Sequence, residues 1–414
     1  MSGVTQTVFC FRVAYLEKLG LCSRWYGMQP NQRLVSLDAF RGFVMLLMAS
    51  SGLGLAQMAS LYPDSWVWRQ IKYQVSHVPW TGCSLWDLIQ PSFMFMVGIA
   101  VPLSVMRRKE AGQGFIGLTW HSIIRALSLV LLAVLLSTGG KEKQTLWIFT
   151  NVLAQIGLGY VFLSILARLG WEYCVAAMVM ILAGDWFWFF QHPLPAQGFD
   201  YASIGALKED LLPGFFGHWS KGLNAAADFD RWLLNLFPHA QPFITNAGGY
   251  TTLNFIPALA TMLGGAITGD FLLTSPRSQL QKCGMMLVVA AVALLLGTVI
   301  GFVGCPIVKR IWTPSWVLFS GGLVLVMLTS FYWLIEIVGL KKPFLPLVVV
   351  GMNSIFIYVM HSLAAGWIKD QLSKHGMAEL FATTWGPVIE KASVLAVLWL
   401  LCFWLYRQRA FLRL

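Results

Sequence analysis

Charge is scarce in this chain. Asp, Glu, Lys and Arg make up 11% of its 414 residues, against 57% for the hydrophobic types, and the mean hydropathy of +0.67 excludes a soluble domain of this length. The charge that is present leans one way, with 29 Lys and Arg against 18 Asp and Glu for a net +11. These basic residues are scattered at the ends of apolar runs rather than gathered on one stretch. That excludes nucleic acid as a partner and points to a lipid bilayer with a positive-inside bias. The seven cysteines include no CxxC, and no His cluster stands at metal-ligand spacing, so no metal site is expected. Residues 1–33 have no uninterrupted apolar core ahead of a small-residue site, which argues against a cleaved signal peptide.

What is abundant is apolar runs of about 20 residues, the length needed to cross a hydrocarbon core. Ten windows qualify, at approximately 36–60, 85–106, 118–138, 148–168, 173–191, 250–272, 283–304, 314–337, 344–366 and 386–406. The fold class is therefore all-α, a polytopic membrane protein with about ten transmembrane helices. One transmembrane domain, 34–414, follows an N-terminal cytoplasmic or interfacial segment, 1–33. That segment is either an amphipathic interfacial helix or lies upstream of a start near Met28.

The basic flanks set an expected orientation. Arg24, Arg33, Arg107, Arg108, Lys109, Arg168, Arg277, Lys282, Lys341, Lys342, Arg407, Arg409 and Arg413 fall on one side, which places both termini in the cytoplasm. The stretches 61–84, 192–249 and 305–313 then face the other side, with 192–249 as a long extracytoplasmic loop carrying Asp200, Glu209, Asp210, Asp228 and Asp230. Cys83 and Cys305 share that face, so a disulfide between them is left open. Cys174, Cys283 and Cys402 read as small packing residues within spans.

Few ionisable groups sit at the spans, and each is a functional candidate by default. Asp87 falls in the first turn of its helix, where a carboxylate either caps the free N–H groups or polarises a neighbour. His77, in the turn-rich approach HVPWTG, is that neighbour; the competing reading is a solvated loop histidine. Asp38 and Arg41 are three residues apart on one helical face. They form either an ion pair at the cytoplasmic edge or a pair whose guanidinium meets a phosphate. Asn353 and His361 lie eight residues apart on a similar face of one span, and Asn353 is either a helix–helix glue or part of a polar path. Asn151, Gln155, Gly157 and Gly159 read as close helix packing.

Taken in order, RLVSLDAFRG, the H-x-x-W-x-G-x-x-x-x-D-L-I-x-P-x-F-M-F-x-x-G run from His77 to Gly98, NVLAQIGLGY, FIPALATMLGG, KRIWTPSWVLFSGG and GMNSIFIYV resemble the heparan-alpha-glucosaminide N-acetyltransferase family. The resemblance runs from about residue 33 to 366, and the first two motifs are the specific ones. It implies a bacterial inner-membrane relative of the lysosomal enzyme. The implied reaction moves an acetyl group from cytosolic acetyl-CoA to the amine of a glucosamine-type sugar or glycan on the far side. His77 matches the family's catalytic histidine, as base or as nucleophile, with Asp87 holding its ring. Donor-binding candidates are Arg41, Asp38, Arg107, Arg108, Lys342 and Asn353, with the phosphates at the basic cytoplasmic rim. A homodimer remains an open partner. Two departures concern the acceptor. The asparagine expected late in the first span has no counterpart in MASSGLGLAQ, which leaves Ser50, Ser51 or Gln57 in its place, and AGGYTTLNFIP replaces an Asp-Pro-Glu-Gly stretch.

Two other classes fit the same residues. One is an amino-sugar transporter or permease with His77, Asp87 and Asn353 along a polar path, although no internal repeat of the transporter kind is visible. The other is an O-acetyltransferase of a cell-envelope polysaccharide. Turnover of acetyl-CoA separates the transporter from both transferases.

Overall fold

The structure, a computed structural model, describes residues 34–110, 112–139, 144–238 and 241–412. The segment 1–33, with Arg24 and Arg33, and the terminal Arg413 lie outside the described residues. Apolar composition and length make helices of nearly every long window, because in lipid the backbone polar groups must be satisfied within the segment. Eight described helical stretches are long and apolar enough to span. Two further pairs bend by 46° and 77° at a short break, giving up to ten spans. The chain is thus an all-α, multi-pass membrane protein, and the ten windows correspond to these eight helices and two bent pairs.

In chain order the elements are α1 (Val35–Ala49), α2 (Leu55–Ser60), α3 (Trp66–Gln74), α4 (Ile89–Glu110), α5 (Phe115–Thr138), α6 (Val152–Leu169), α7 (Trp171–Phe190), α8 (Ala225–Leu234), α9 (Phe255–Thr274), α10 (Gln279–Val303), α11 (Pro314–Tyr332), α12 (Leu345–Gly351), α13 (Ser354–Leu372) and α14 (Gly386–Arg407). Their starts follow local chemistry. Asn151 caps α6 by accepting from Ala154 N at 3.0 Å. Ser278 and Gln281 form a reciprocal capping box on α10. Thr313 accepts from Trp316 N and is followed by Pro314 at the first position of α11.

The bundle has a protein-facing centre and a lipid-facing rim. In the window around α9, 72% of residues are buried, against 17% for α10, α7 and α14, so α9 and its neighbour α4 form the centre. They approach closely because both lack side chains at the crossing. A Cβ on Gly98 would lie 1.9 Å from Met262 O, and one on Gly265 would lie 2.0 Å from Phe95 O, the small-residue packing that membrane helices use in place of a hydrophobic drive. Gly42 and Gly351 seat α12 against α1 in the same way.

The first break has a visible cause. Ser51, Gly52, Leu53 and Gly54 all take positive φ, which ends α1 and turns the chain into α2. There Ser51 Oγ meets His361 Nε2 of α13 at 3.1 Å. The second break, between α12 and α13, is held by the C-terminal tail: Asn353 Nδ2 donates to Ala410 O at 3.3 Å and Asn353 Oδ1 accepts from Leu412 N at 3.1 Å.

The stretches 61–84, 192–249 and 305–313 pack on one another at the end where α4, α9 and α11 begin. Trp80 Nε1 donates to Trp219 O at 3.0 Å, Gly82 N donates to Ile307 O at 2.9 Å, and Arg310 Nη1 donates to Gly248 O at 2.5 Å. Buried Asp230 of α8 accepts from Thr252 N through both oxygens and so ties the long loop to the start of the central span.

Candidate active site

The site grows from the turn between α3 and α4. After Gln74 the chain runs through His77 and Val78 to Ser84. A short helical turn, Trp86–Leu88, then leads into α4 and brings Asp87 under the loop. The Asp87 side chain is 1% exposed, and its partners come from the loop and from one residue far along the chain. Oδ2 accepts from Val78 N at 3.2 Å and Ser84 N at 3.2 Å, with Ser84 Oγ at 2.9 Å. Oδ1 meets His77 Nδ1 at 2.7 Å. Asp87 N in turn donates to Ser84 Oγ at 3.3 Å, a reciprocal cap with the Ser84 N bond, so the carboxylate caps the start of its helical turn through Oδ2 and meets His77 through Oδ1.

A second wall comes from the loop ahead of α11. Thr313 Oγ1 accepts from Val308 N at 3.0 Å and donates to Pro306 O at 2.8 Å. Trp312 takes a positive φ of 53°, a costly conformation for a bulky residue, held by burial and by a bond from its Nε1 to Thr261 Oγ1 at 3.1 Å. This rigid turn delivers Lys309 and Arg310. Lys309 Nζ lies 3.3 Å from Asp87 Oδ1 and 3.3 Å from His77 Nδ1, with its side chain 4% exposed. Arg310 Nη2 donates to Val78 O at 3.1 Å, and its guanidinium lies 5.4 Å from the Tyr250 ring centroid. Asn254 Nδ2 donates to Arg310 O at 2.7 Å.

Burial pushes the Lys309 ammonium down to about 8, against the pull of Asp87 in the other direction. Burial, followed by the Asp87 charge, pushes the neighbouring Cys83 thiol up to about 12, which disqualifies it as a thiolate nucleophile. Cys83 and Cys305 are both free. The disulfide left open by the sequence is not formed: Cys305 Sγ bonds Ser315 Oγ and Cys83 Sγ bonds Ser84 O. Among the described residues no three His, Cys, Asp or Glu side chains gather as metal ligands.

The proton positions follow from the distances. Two bare acceptors cannot sit 2.7 Å apart, so a proton lies between His77 Nδ1 and Asp87 Oδ1, and Lys309 directs its own protons to the carboxylate. Nδ1 is thus committed to Asp87, and Nε2 is the ring nitrogen left open, on a side chain that is 41% exposed. A ring held in one tautomer by a buried carboxylate, with the other nitrogen open, can take a proton from an incoming nucleophile or attack a carbonyl itself.

The other sequence candidates lie elsewhere. Arg107 is 18 residues into α4, about 27 Å along the axis at 1.5 Å per residue, and is exposed. Arg108 donates to Gln113 Oε1 at 3.2 Å. Asp38 and Arg41 pair at 3.6 Å near the start of α1, which Ser36 N joins to Glu336 Oε1, beyond the end of α11, at 2.9 Å. Exposed Lys342 follows in the same connection. The structure thus unites His77 and Asp87 at one end and the basic candidates at the other. Asn353 has both ends of its amide engaged by the C-terminal tail. Sequence reasoning missed Lys309, Arg310 and Tyr250 as members of the site. The signals were the KRIWTPSWVLFSGG motif, which opens on Lys309 and Arg310 in a short loop assigned to the same face as His77, and the AGGYTTLNFIP stretch that holds Tyr250.

Comparison with known proteins bears on this geometry. The family described as "Heparan-alpha-glucosaminide N-acetyltransferase, catalytic" matches residues 33–201, which include His77 and Asp87. The Homo sapiens heparan-alpha-glucosaminide N-acetyltransferase is 22% identical over 381 residues, covering 82% of this chain and 54% of that protein. The Mus musculus protein of the same name is 22% identical over 384 residues, covering 82% and 55%. The chain spans about half the length of these curated relatives. At the level of family, and at low identity, this chain resembles the heparan-alpha-glucosaminide N-acetyltransferases.

Proposed function

We propose that the protein is a transmembrane acetyltransferase that moves an acetyl group from cytosolic acetyl-CoA to the amine of a glucosamine-type sugar on the extracytoplasmic side. The observation that carries this reading is the His77–Asp87 pair, joined at 2.7 Å with Nε2 open, within the stretch that matches the N-acetyltransferase family.

The donor's phosphates fit the basic end, where Arg41, Arg107, Arg108 and Lys342 offer charge-assisted contacts. The thioester end then has to reach the opposite end of the bundle. There the acceptor's neutral amine attacks the thioester carbonyl and the C–S bond breaks. The amine gives up one proton to His77 Nε2, and the same proton passes to the departing thiolate, leaving free CoA and the N-acetyl sugar. Asp87 stabilises the transient imidazolium through Nδ1. Lys309 opposes a lasting build-up of that charge, which favours return of the proton to the thiolate.

The test is acetyl transfer by the purified chain in sealed vesicles, with labelled acetyl-CoA on the side of Arg107 and glucosamine on the side of His77. N-acetylglucosamine on the far side is the expected product. Passage of intact sugar with no use of the thioester would overturn the proposal in favour of a transporter.

A further inference from the structure

Behind the site lies an apolar cavity of about 320 Å³ that the proposed chemistry leaves unused. One wall is the end of α10, through Thr298, Gly301 and Phe302; Phe216 of the 192–249 stretch faces it. Gly82 and Ile307 also line it. These two are joined by the 2.9 Å hydrogen bond from Gly82 N to Ile307 O. Gly82 stands five residues after His77, and Ile307 two before Lys309. The two loops that line the cavity are therefore the ones that carry His77 and Lys309.

α10 has the highest hydropathy of the candidate spans and is among the least buried. Leu295, Val299 and Phe302, over its last three turns, are exposed, and on a helix long and apolar enough to span such a face meets hydrocarbon. The cavity thus lies where a lipid-facing helix meets the loops of the site.

We propose that this cavity receives the hydrocarbon chain of the acceptor, so that the sugar acted on is a membrane-anchored amino glycolipid rather than a free sugar. This rests on the acetyltransferase reading for the identity of the head group. The bilayer is as apolar as the cavity, so the chain gains little free energy on entering it. Its contribution is to hold the amine beside His77 at high effective concentration.

The experiment uses the whole protein in phosphatidylcholine nanodiscs and an alkyl β-glucosaminide carrying a photoactivatable diazirine in its chain, with labelled residues mapped by mass spectrometry. Labelling is expected between Thr298 and Ile307, displaced by unlabelled alkyl glucosaminide. It should fall at least tenfold in Thr298→Trp, which fills the cavity. It should fall likewise in Gly301→Val, whose added carbon would meet Ile307 Cγ1 at 2.8 Å and press that side chain inward. Labelling that survives both variants overturns the proposal. So does equal labelling by a diazirine phosphatidylcholine that the glucosaminide cannot displace, since the cavity then holds bulk lipid only. Labelling needs no acetyl transfer, so the two readings fail separately. Cavity labelling without transfer to any acceptor overturns the acetyltransferase, while transfer to free glucosamine at the rate of the amphiphile, with no labelling, overturns the cavity assignment alone.

Discussion

Asp87→Asn tests the dyad with the smallest change of shape. The amide replaces one carboxylate oxygen by an NH2 donor, and the surroundings decide which. Oδ2 receives two backbone donors that cannot be withdrawn, Val78 N and Ser84 N, both at 3.2 Å, so the amide oxygen takes that position. The NH2 then occupies the position of Oδ1, 2.7 Å from His77 Nδ1 and 3.3 Å from the Lys309 ammonium. To avoid two donors in contact, His77 must accept at Nδ1, which puts its proton on Nε2, facing the substrate. The same tautomer inversion in a serine-protease triad lowers kcat by about 10⁴, and a fall of about 10³ to 10⁴ in acetyl transfer is expected here. CoA binding, which the proposal puts at the other end of α4, should not change. Lys309 loses its counter-charge, and breaking a buried pair costs about 3–5 kcal/mol, less to the extent that Lys309 sheds its proton. The assay is single-turnover transfer from labelled acetyl-CoA, with CoA affinity and thermal unfolding measured on the same preparation. A variant that transfers within tenfold of the wild-type rate would refute the reasoning that Asp87 fixes the His77 tautomer.

Three further outcomes are expected. Lys309 is held near 8 in the folded protein against about 10.4 for an ordinary lysine, so at neutral pH its buried charge costs folding about 3 kcal/mol. The unfolded chain binds the extra proton between those values, so stability should rise as pH increases from about 8 to 10.4. Thermal unfolding across that window should show the rise in wild type and lose it in Lys309→Met. Ser76, beside His77, and Gln113, beside Arg108, should lie on opposite sides of the membrane. Single-cysteine variants in intact cells should be labelled by an impermeant maleimide at 76 and not at 113, and equal labelling would sink the assigned sidedness. Arg41→Ala should weaken CoA binding by tenfold or more, the loss of one charge-assisted contact of about 1.5–3 kcal/mol. Unchanged affinity by calorimetry would leave Arg41 only its structural pairing with Asp38.

The spans were legible because a 20-residue apolar window leaves helix as the only backbone state that satisfies its own hydrogen bonds in lipid. The bends were not, although SSGLG between α1 and α2 carries a local signal in its two glycines. The second break depends on Asn353 meeting Ala410 and Leu412, contacts almost 60 residues apart that no window contains. Within the site, His77 and Asp87 were accessible because ten residues separate them and a turn brings them together. Lys309 was not, since it reaches Asp87 across 222 residues, and by composition a Lys-Arg pair in a loop reads as topology rather than chemistry. The departure at MASSGLGLAQ also acquires a place: Ser51 meets His361 at the first break.

The central claim is that His77 carries the chemistry and little else. Its ring is partly exposed in a loop whose other bonds are made by backbone groups, Asp87, Lys309 and Arg310, so His77→Ala should still fold, with stability lowered only by the lost bond to Asp87, about 1.5–3 kcal/mol. CoA should bind with unchanged affinity, because the basic end lies about 27 Å away along α4. Transfer of labelled acetyl from acetyl-CoA to glucosamine by the detergent-purified variant should fall by ~10²-fold or more. Transfer near the wild-type rate would remove His77 from the mechanism and contradict the account.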